Sequence, residues 1–143
     1  MHVASILQDK GHAVVTMGPL STVREAVALM AQKRIGAVVV AGVEGRVLGI
    51  FSERDVVRVL AQKGAEVLDE ELSRHMTSPV FTCTAQTSID DIMHMMTTKK
   101  FRHVPVVEND ALKGLVSIGD VVKFRLAEIE TEHKAMRDYI ASA

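Results

Sequence analysis

Tryptophan is absent, and the chain has one tyrosine and four phenylalanines in 143 residues. The core must therefore be built from Val, Ile, Leu, Met and Ala. Cys83 is the only cysteine, which excludes an intramolecular disulfide. Basic and acidic residues nearly cancel (17 Lys and Arg against 18 Asp and Glu), and the longest basic clusters are the pairs Lys33-Arg34 and Lys99-Lys100. That balance lacks the basic footprint of a nucleic-acid binder and any polybasic tail. No apolar run approaches the ~20 residues of a membrane-spanning helix. No basic start leads into an apolar stretch, so no signal peptide is expected. With one thiol and no leader, a reducing cytoplasm is the expected location.

Several chemical signatures are also missing. Neither G-x-G-x-x-G nor G-x-x-x-x-G-K-[ST] occurs, so a nucleotide would not be held on a Rossmann or P-loop turn. The six histidines form no H-x-x-x-H or H-E-x-x-H, and no metal is expected. Cys83, between Thr82 and Thr84 in an expected strand, reads as a buried, inert thiol. No nucleophile with a partner base stands out, which argues against an enzyme.

What is present is a phrase that occurs twice. Gly49-Ile50-Phe51-Ser52-Glu53-Arg54-Asp55-Val56-Val57 returns as Gly114-Leu115-Val116-Ser117-Ile118-Gly119-Asp120-Val121-Val122. The match extends upstream: Val23, Ala26, Met30, Ile35, Val38 and Val40 align with Ile89, Ile92, Met96, Phe101, Val104 and Val106. Between Gly42–Gly45 and Glu108–Asp110 the second copy loses one residue, which places a turn there.

Each copy reads as β-α-β-β-α. A short apolar stretch (Ala13 to Met17; Val80 to Cys83) precedes an amphipathic helix with Val23, Ala26, Val27 and Met30, or Ile89, Ile92, Met93 and Met96, at helical spacing. Thr22-x-x-Glu25 and Ser88-x-x-Asp91 have the form of capping boxes. Two strands follow, Ala37 to Ala41 with Val47 to Phe51, and Val104 to Val107 with Leu112 to Val116. Ser52 and Ser117 then open a second helix. The expected organisation is a helical segment at 1–12, a first repeat at 13–63, a linker at 64–79, a second repeat at 80–125 and a helical extension at 126–143. Along that extension Val122, Leu126, Ile129, His133, Met136 and Ile140 fall near one stripe, opposite Glu128, Glu132, Lys134 and Arg137. It is longer than one small domain needs and is a face for a partner chain.

Arg34-Ile35-Gly36-Ala37-Val38-Val39-Val40, Phe101-Arg102-His103-Val104-Pro105-Val106-Val107, both G-φ-φ-S-x-x-D-V-V phrases (φ apolar) and His75-Met76-Thr77-Ser78-Pro79-Val80 together resemble paired cystathionine-beta-synthase (CBS) domains. The resemblance covers nearly everything from Ala13 to Arg125. It implies an α/β fold of two repeats packed sheet against sheet about a pseudo-two-fold axis, here with a C-terminal helical extension. It also implies a homodimer and a regulatory role toward a protein partner that the sequence does not identify. Family members bind AMP, ADP, ATP, NAD(H) or S-adenosylmethionine in the clefts between repeats. With no fused enzyme or transporter in view, a stand-alone member is expected.

The Ser-x-x-Asp spacing has two readings. It is an ordinary helix cap, in which the carboxylate bonds back to the cap residue and complements the macrodipole. The same helix N-terminus also suits a phosphate. The resemblance assigns Asp55 and Asp120 to ribose hydroxyls and Ser52 and Ser117 to phosphate, and the glycine three residues before each serine would let a ligand approach the strand. Arg54 reads equally as a phosphate clamp or a solvated surface arginine. Arg102 and His103 stand where the first copy has Gly36-Ala37; either they reach a phosphate, or His103 is a neutral half-buried strand residue. Pro105 inside a strand points to an edge. For adenine the candidate slots are Val14, Thr16, Ala37 and Val38, and Val80, Thr82, Val104 and Pro105. The two pockets should therefore differ in affinity or ligand, for example AMP in one and a dinucleotide in the other. The competing readings are a nucleotide-acting enzyme and a structural dimeriser without ligand.

Overall fold

The computed structural model describes residues 1–142; Ala143, the last residue of the expected extension, lies outside the described residues. In chain order the elements are α1 (Val3–Lys10), β1 (Thr16–Met17), α2 (Val23–Lys33), β2 (Ala37–Ala41), β3 (Val47–Ser52), α3 (Glu53–Lys63), α4 (Ile89–Lys99), β4 (His103–Glu108), β5 (Ala111–Ser117) and α5 (Ile118–Ser142). Short 3-10 turns at Gly64–Asp69 and Leu72–Arg74 lie in the stretch between α3 and α4. Among the described residues no helix is long and apolar enough to cross a membrane.

The helices start where capping chemistry places them. Thr22 and Glu25 form a reciprocal capping box at α2, and Ser52 with Asp55 does the same at α3. Ser88 accepts the Asp91 N–H at 3.0 Å, without the reciprocal bond seen at Thr22. Arg34 and Lys100 end α2 and α4 at equivalent positions, both in the left-handed region (φ 55° and 60°).

The hairpins carry the one-residue difference between copies. Three residues, Val43 to Gly45, separate Gly42 from Arg46, whose N–H···O bond is 2.8 Å. Two residues, Asn109 and Asp110, separate the paired Glu108 and Ala111, both at positive φ as a tight primed turn requires.

Among the described residues the first sheet has three strands in the order β1-β2-β3, with β1 parallel to β2, and the second has β4 and β5 alone. The strand expected at Val80 to Cys83 is reduced to a single bridge, Cys83 with Val106. Pro105 is the reason. Its counterpart Val39 donates its N–H to Val15 O at 3.2 Å, which extends the β1 ladder. Proline has no N–H, so Phe81, the counterpart of Val15, finds no donor there. The ladder survives only where Cys83 N–H meets Pro105 O (3.0 Å) and Val107 N–H meets Cys83 O (2.9 Å).

Two apolar cores result, and each is completed by a segment from outside its own repeat. Val23, Ala26, Met30, Val38, Val40, Phe51 and Val59 pack with Val67 and Leu72 of the 64–79 stretch. Ile89, Ile92, Met96, Val104, Val106, Val116 and Val121 pack with Val3, Ile6 and Leu7 of α1. The expected flanks at 1–12 and 64–79 are therefore working parts of the cores, each buried Val, Leu or Ile contributing about 1.5–3 kcal/mol. The exchange is reciprocal, as an approximate two-fold axis between the repeats demands.

Candidate functional site

Alternation along β2 and β4 decides which side chains can face a ligand. Val38 and Val40, like Val104 and Val106, point into their own cores. Their neighbours Ala37, Val39, His103 and Pro105 take the other face, toward the opposite repeat. On that side the repeats touch: His103 Cε1 lies 3.4 Å from where a Cβ on Gly36 would stand.

A cleft of about 590 Å³ opens there. Its apolar lining includes Ile50, Pro79, Val80, Phe81, Phe101 and Ile118. Phe81 and Phe101 stack with centroids 5.2 Å apart and planes 17° from parallel, and Lys99 Nζ lies 5.4 Å from the Phe81 centroid. Phe81 nonetheless stays 51% exposed, leaving area for another planar group. Arg54, Lys99, Lys100 and Arg102 bring four cationic side chains to the cleft against two carboxylates, Glu53 and Asp55. Arg54 Nη1 is held by Lys100 O at 3.2 Å.

Asp55 is buried and accepts four hydrogen bonds. Its Oδ2 accepts from Ser52 N–H (2.9 Å) and the Ser52 hydroxyl (3.2 Å); its Oδ1 accepts from Arg58 Nη2 and the Thr77 hydroxyl, both at 3.0 Å. Capping is thus realised, and the same carboxylate borders the cleft. Burial, reinforced by Lys10 and Arg102 and opposed by Glu53 and Asp120, pushes the His103 pKa below its usual value. Its ring is neutral at neutral pH.

The second copy is built differently. Ser117 lines the same cleft as Ser52, but Asp120 borders another cavity of about 550 Å³ between α1 and α5, with Lys10, Lys123 and Phe124. Asp120 Oδ2 accepts from Ser117 N–H at 2.9 Å and from Lys10 Nζ at 2.6 Å. Burial pushes the Asp120 pKa up, but the Lys10 ammonium and the Ser117 N–H and hydroxyl outweigh it, so the carboxyl sits below its usual range.

The cleft brings together Ser52, Arg54, Asp55, Val80, Arg102, His103 and Ser117 of the expected residues. It does not gather the rest. Val14 and Thr16 line a shallow groove with His12, Gly42 and Leu112. Ala37, Val38, Val104 and Pro105 are buried, Val38 and Val104 within the cores. Thr82 is exposed and lies outside the cleft lining.

The two glycines also serve another purpose than ligand access. A Cβ on Gly49 would stand 2.4 Å from Met76 Sδ and 2.9 Å from Thr77 O; one on Gly114 would stand 2.8 Å from Leu7 Cδ2. They admit the chain's own exchanged segments.

Sequence reasoning missed Thr77, Phe81, Phe101 and Lys10. Thr77 lies inside the segment that carried the resemblance, but its bond to Asp55 spans 22 residues and leaves no local pattern. Cys83, outside the cleft lining, is buried, and burial pushes its thiol up to about 12.

The CBS domain family model matches residues 4–62 and 70–127. A CBS-domain containing protein from Agrobacterium tumefaciens superposes with a TM-score of 0.84 at 46% identity, covering 87% of this chain and 99% of that one. A CBS domain protein from Pyrobaculum aerophilum, complexed with AMP, superposes at 0.73 with 26% identity over 84% of this chain and 89% of that one. A mitochondrial CBS domain-containing protein of Arabidopsis thaliana is 34% identical over 83% of this chain, which spans 60% of that relative's length. Duplicated β-α-β-β-α units, reciprocal core exchange and two matches to one family model lead to a single conclusion: the chain belongs to the CBS domain family, as a pair of CBS repeats.

Proposed function

We propose that the chain is a regulatory ligand-sensing module that binds an adenine nucleotide in the cleft between its repeats. The observation that carries the reading is the composition of that cleft. A ribose-type carboxylate, Asp55, and a helix N-terminus stand beside a half-exposed aromatic wall under a cationic rim. Its volume lies within the range of small-molecule sites. The excess of cations favours AMP, ADP or ATP over S-adenosylmethionine, whose sulfonium is positive. The AMP complex of the Pyrobaculum relative supports the ligand class. Ribose hydroxyls would take over the places of the Ser52 and Thr77 hydroxyls on Asp55, the two neutral side-chain donors among its four. Occupancy becomes a signal when the ligand prefers one arrangement of the repeats over another.

Thermal-shift measurements with AMP, ADP, ATP, NADH and S-adenosylmethionine test the reading. A nucleotide at 100 times its Kd adds about 2.7 kcal/mol. The expected result is a clear rise in Tm with phosphate-bearing adenosines and little or none with S-adenosylmethionine. A flat response to all five contradicts the proposal. A response to NADH alone assigns the cleft to a dinucleotide.

The proposed assembly is a homodimer through α5. Val122, Leu126, Ile129, Met136 and Ile140 are exposed on one stripe of that helix, with His133 between them. From Leu126 onward they alternate at three- and four-residue steps, the seam of a coiled coil. Glu130 and Arg137 flank one edge and Glu132 the other, so a second copy laid alongside meets opposite charge. Wild type is expected to sediment as a dimer at micromolar concentration, and Ile129→Lys with Met136→Lys as a folded monomer. A monomeric wild type, or a dimer that survives both substitutions, rules out this face.

A further inference from the structure

The two copies of the Ser-x-x-Asp site hold their carboxylates with different donors, and the difference lies in Lys10. In the first repeat Thr77 does two jobs. Its backbone N–H donates to Ile50 O at 2.8 Å, and its hydroxyl donates to Asp55 Oδ1 at 3.0 Å. In the second repeat the counterparts of Ile50 and Asp55 are Leu115 and Asp120. The Lys10 ammonium serves both, donating to Leu115 O at 2.8 Å and to Asp120 Oδ2 at 2.6 Å. The position equivalent to Lys10 in the first repeat is Met76, which has no charge and packs over Gly49.

The surroundings fix Lys10 in place. It is the last residue of α1, whose Val3, Ile6 and Leu7 are buried in the second core. Gly11 follows with φ 92° and returns its N–H to Leu7 O. His12 Nδ1 donates to Lys113 O at 3.1 Å, matching the Ser78 hydroxyl on Leu48 O at 3.0 Å in the first repeat. Lys10 and His12 therefore strap the chain along β5. The consequence shows in the cavities: Ser52 and Asp55 border one cleft, whereas Ser117 and Asp120 are divided between two.

We propose that Lys10 is a built-in occupant of the second site. Its ammonium bridges Asp120 Oδ2 and Leu115 O where the first repeat presents to the cleft only the neutral Thr77 hydroxyl, Arg58 lying outside that lining, and with Ser117 and Asp120 parted between two cavities the resting chain binds one adenine nucleotide rather than two. Lys10 is thus the residue that sets stoichiometry. The inference rests on the nucleotide reading of the first cleft.

Isothermal titration with AMP and with ATP, on wild type and on Lys10→Met, tests it. The substitution copies the first repeat's own residue, and Lys10→Gln, which keeps a donor without the charge, provides a second variant. Circular dichroism checks that each is folded. The expected stoichiometry is one nucleotide per chain for wild type and two for Lys10→Met. Adding Asp55→Ala to Lys10→Met should leave one site, the newly opened one. Two sites in wild type, or a single site persisting in both folded Lys10 variants, overturns the proposal while leaving the nucleotide reading intact. Silence from wild type with one site in Lys10→Met supports the lock and removes the first cleft. Silence from wild type and from both variants overturns both.

Discussion

Asp55→Ala should weaken nucleotide binding about 100-fold, because ribose hydroxyls that take over the places of the Ser52 and Thr77 hydroxyls on this carboxylate lose hydrogen bonds to a charged acceptor, worth about 1.5–3 kcal/mol each. The same change should lower stability by about 2–3 kcal/mol, since it removes the carboxylate half of the α3 capping box, leaves the Thr77 hydroxyl without its acceptor and leaves Arg58 only His75 O. Two effects from one residue need a control, and the chain contains one. Glu25 follows Thr22 at the same spacing, closes a reciprocal box at the start of α2 and lies outside the cleft lining. Glu25→Ala should cost helix-cap stability and leave nucleotide affinity unchanged. Titration calorimetry and urea unfolding on both variants separate the roles. If Asp55→Ala is destabilised yet binds like wild type, the carboxylate is a cap and nothing more.

The second large effect concerns the exchanged segments. Gly49→Ala should destabilise the chain by about 1–3 kcal/mol, in the range of overpacked cores. The added Cβ meets Met76 Sδ at 2.4 Å and Thr77 O at 2.9 Å. The methionine can move, but that carbonyl is fixed by the Ile50 N–H at 3.1 Å. Gly114→Ala should cost less, because its close neighbour is the far end of Leu7, a side chain with freedom to rotate. Urea midpoints of the two variants give the comparison directly. A Gly114→Ala protein less stable than Gly49→Ala would mean that the linker, rather than α1, is the softer of the two docked segments. Because Thr77 also borders the cleft, Gly49→Ala should weaken nucleotide binding as well, whereas Gly114→Ala should not.

Much of the fold was legible because it is written twice. Helix starts followed from Thr22, Ser52, Ser88 and Ser117, and the one-residue slip between copies located the hairpin turns. Two features were not legible. The strand expected at Val80 to Cys83 is a lone bridge because Pro105, 22 residues after Cys83, withholds a donor; apolar patterning cannot register a missing N–H on a neighbouring strand. The exchange of α1 and the linker between cores was hidden for a similar reason, since Leu7 meets Gly114 across most of the chain and leaves no local pattern. At the site, Ser52, Asp55, Arg102 and His103 could be picked out by comparing copies. Val38 and Val104 could not be placed without the strand's facing direction, and the structure turns them inward. Lys10 was invisible as a site residue because it lies outside the aligned phrase and reaches Asp120 across 110 residues.

The most direct test of nucleotide binding between the repeats is a 1H–15N NMR titration of the wild-type chain with AMP. Saturable shifts should concentrate at Gly36, Ser52, Asp55, Thr77, Val80, Phe81 and His103, with the amides of Val14 and Thr16 unmoved. Absence of any saturable shift, or shifts gathered around Val14 and Thr16 with the cleft silent, would contradict it.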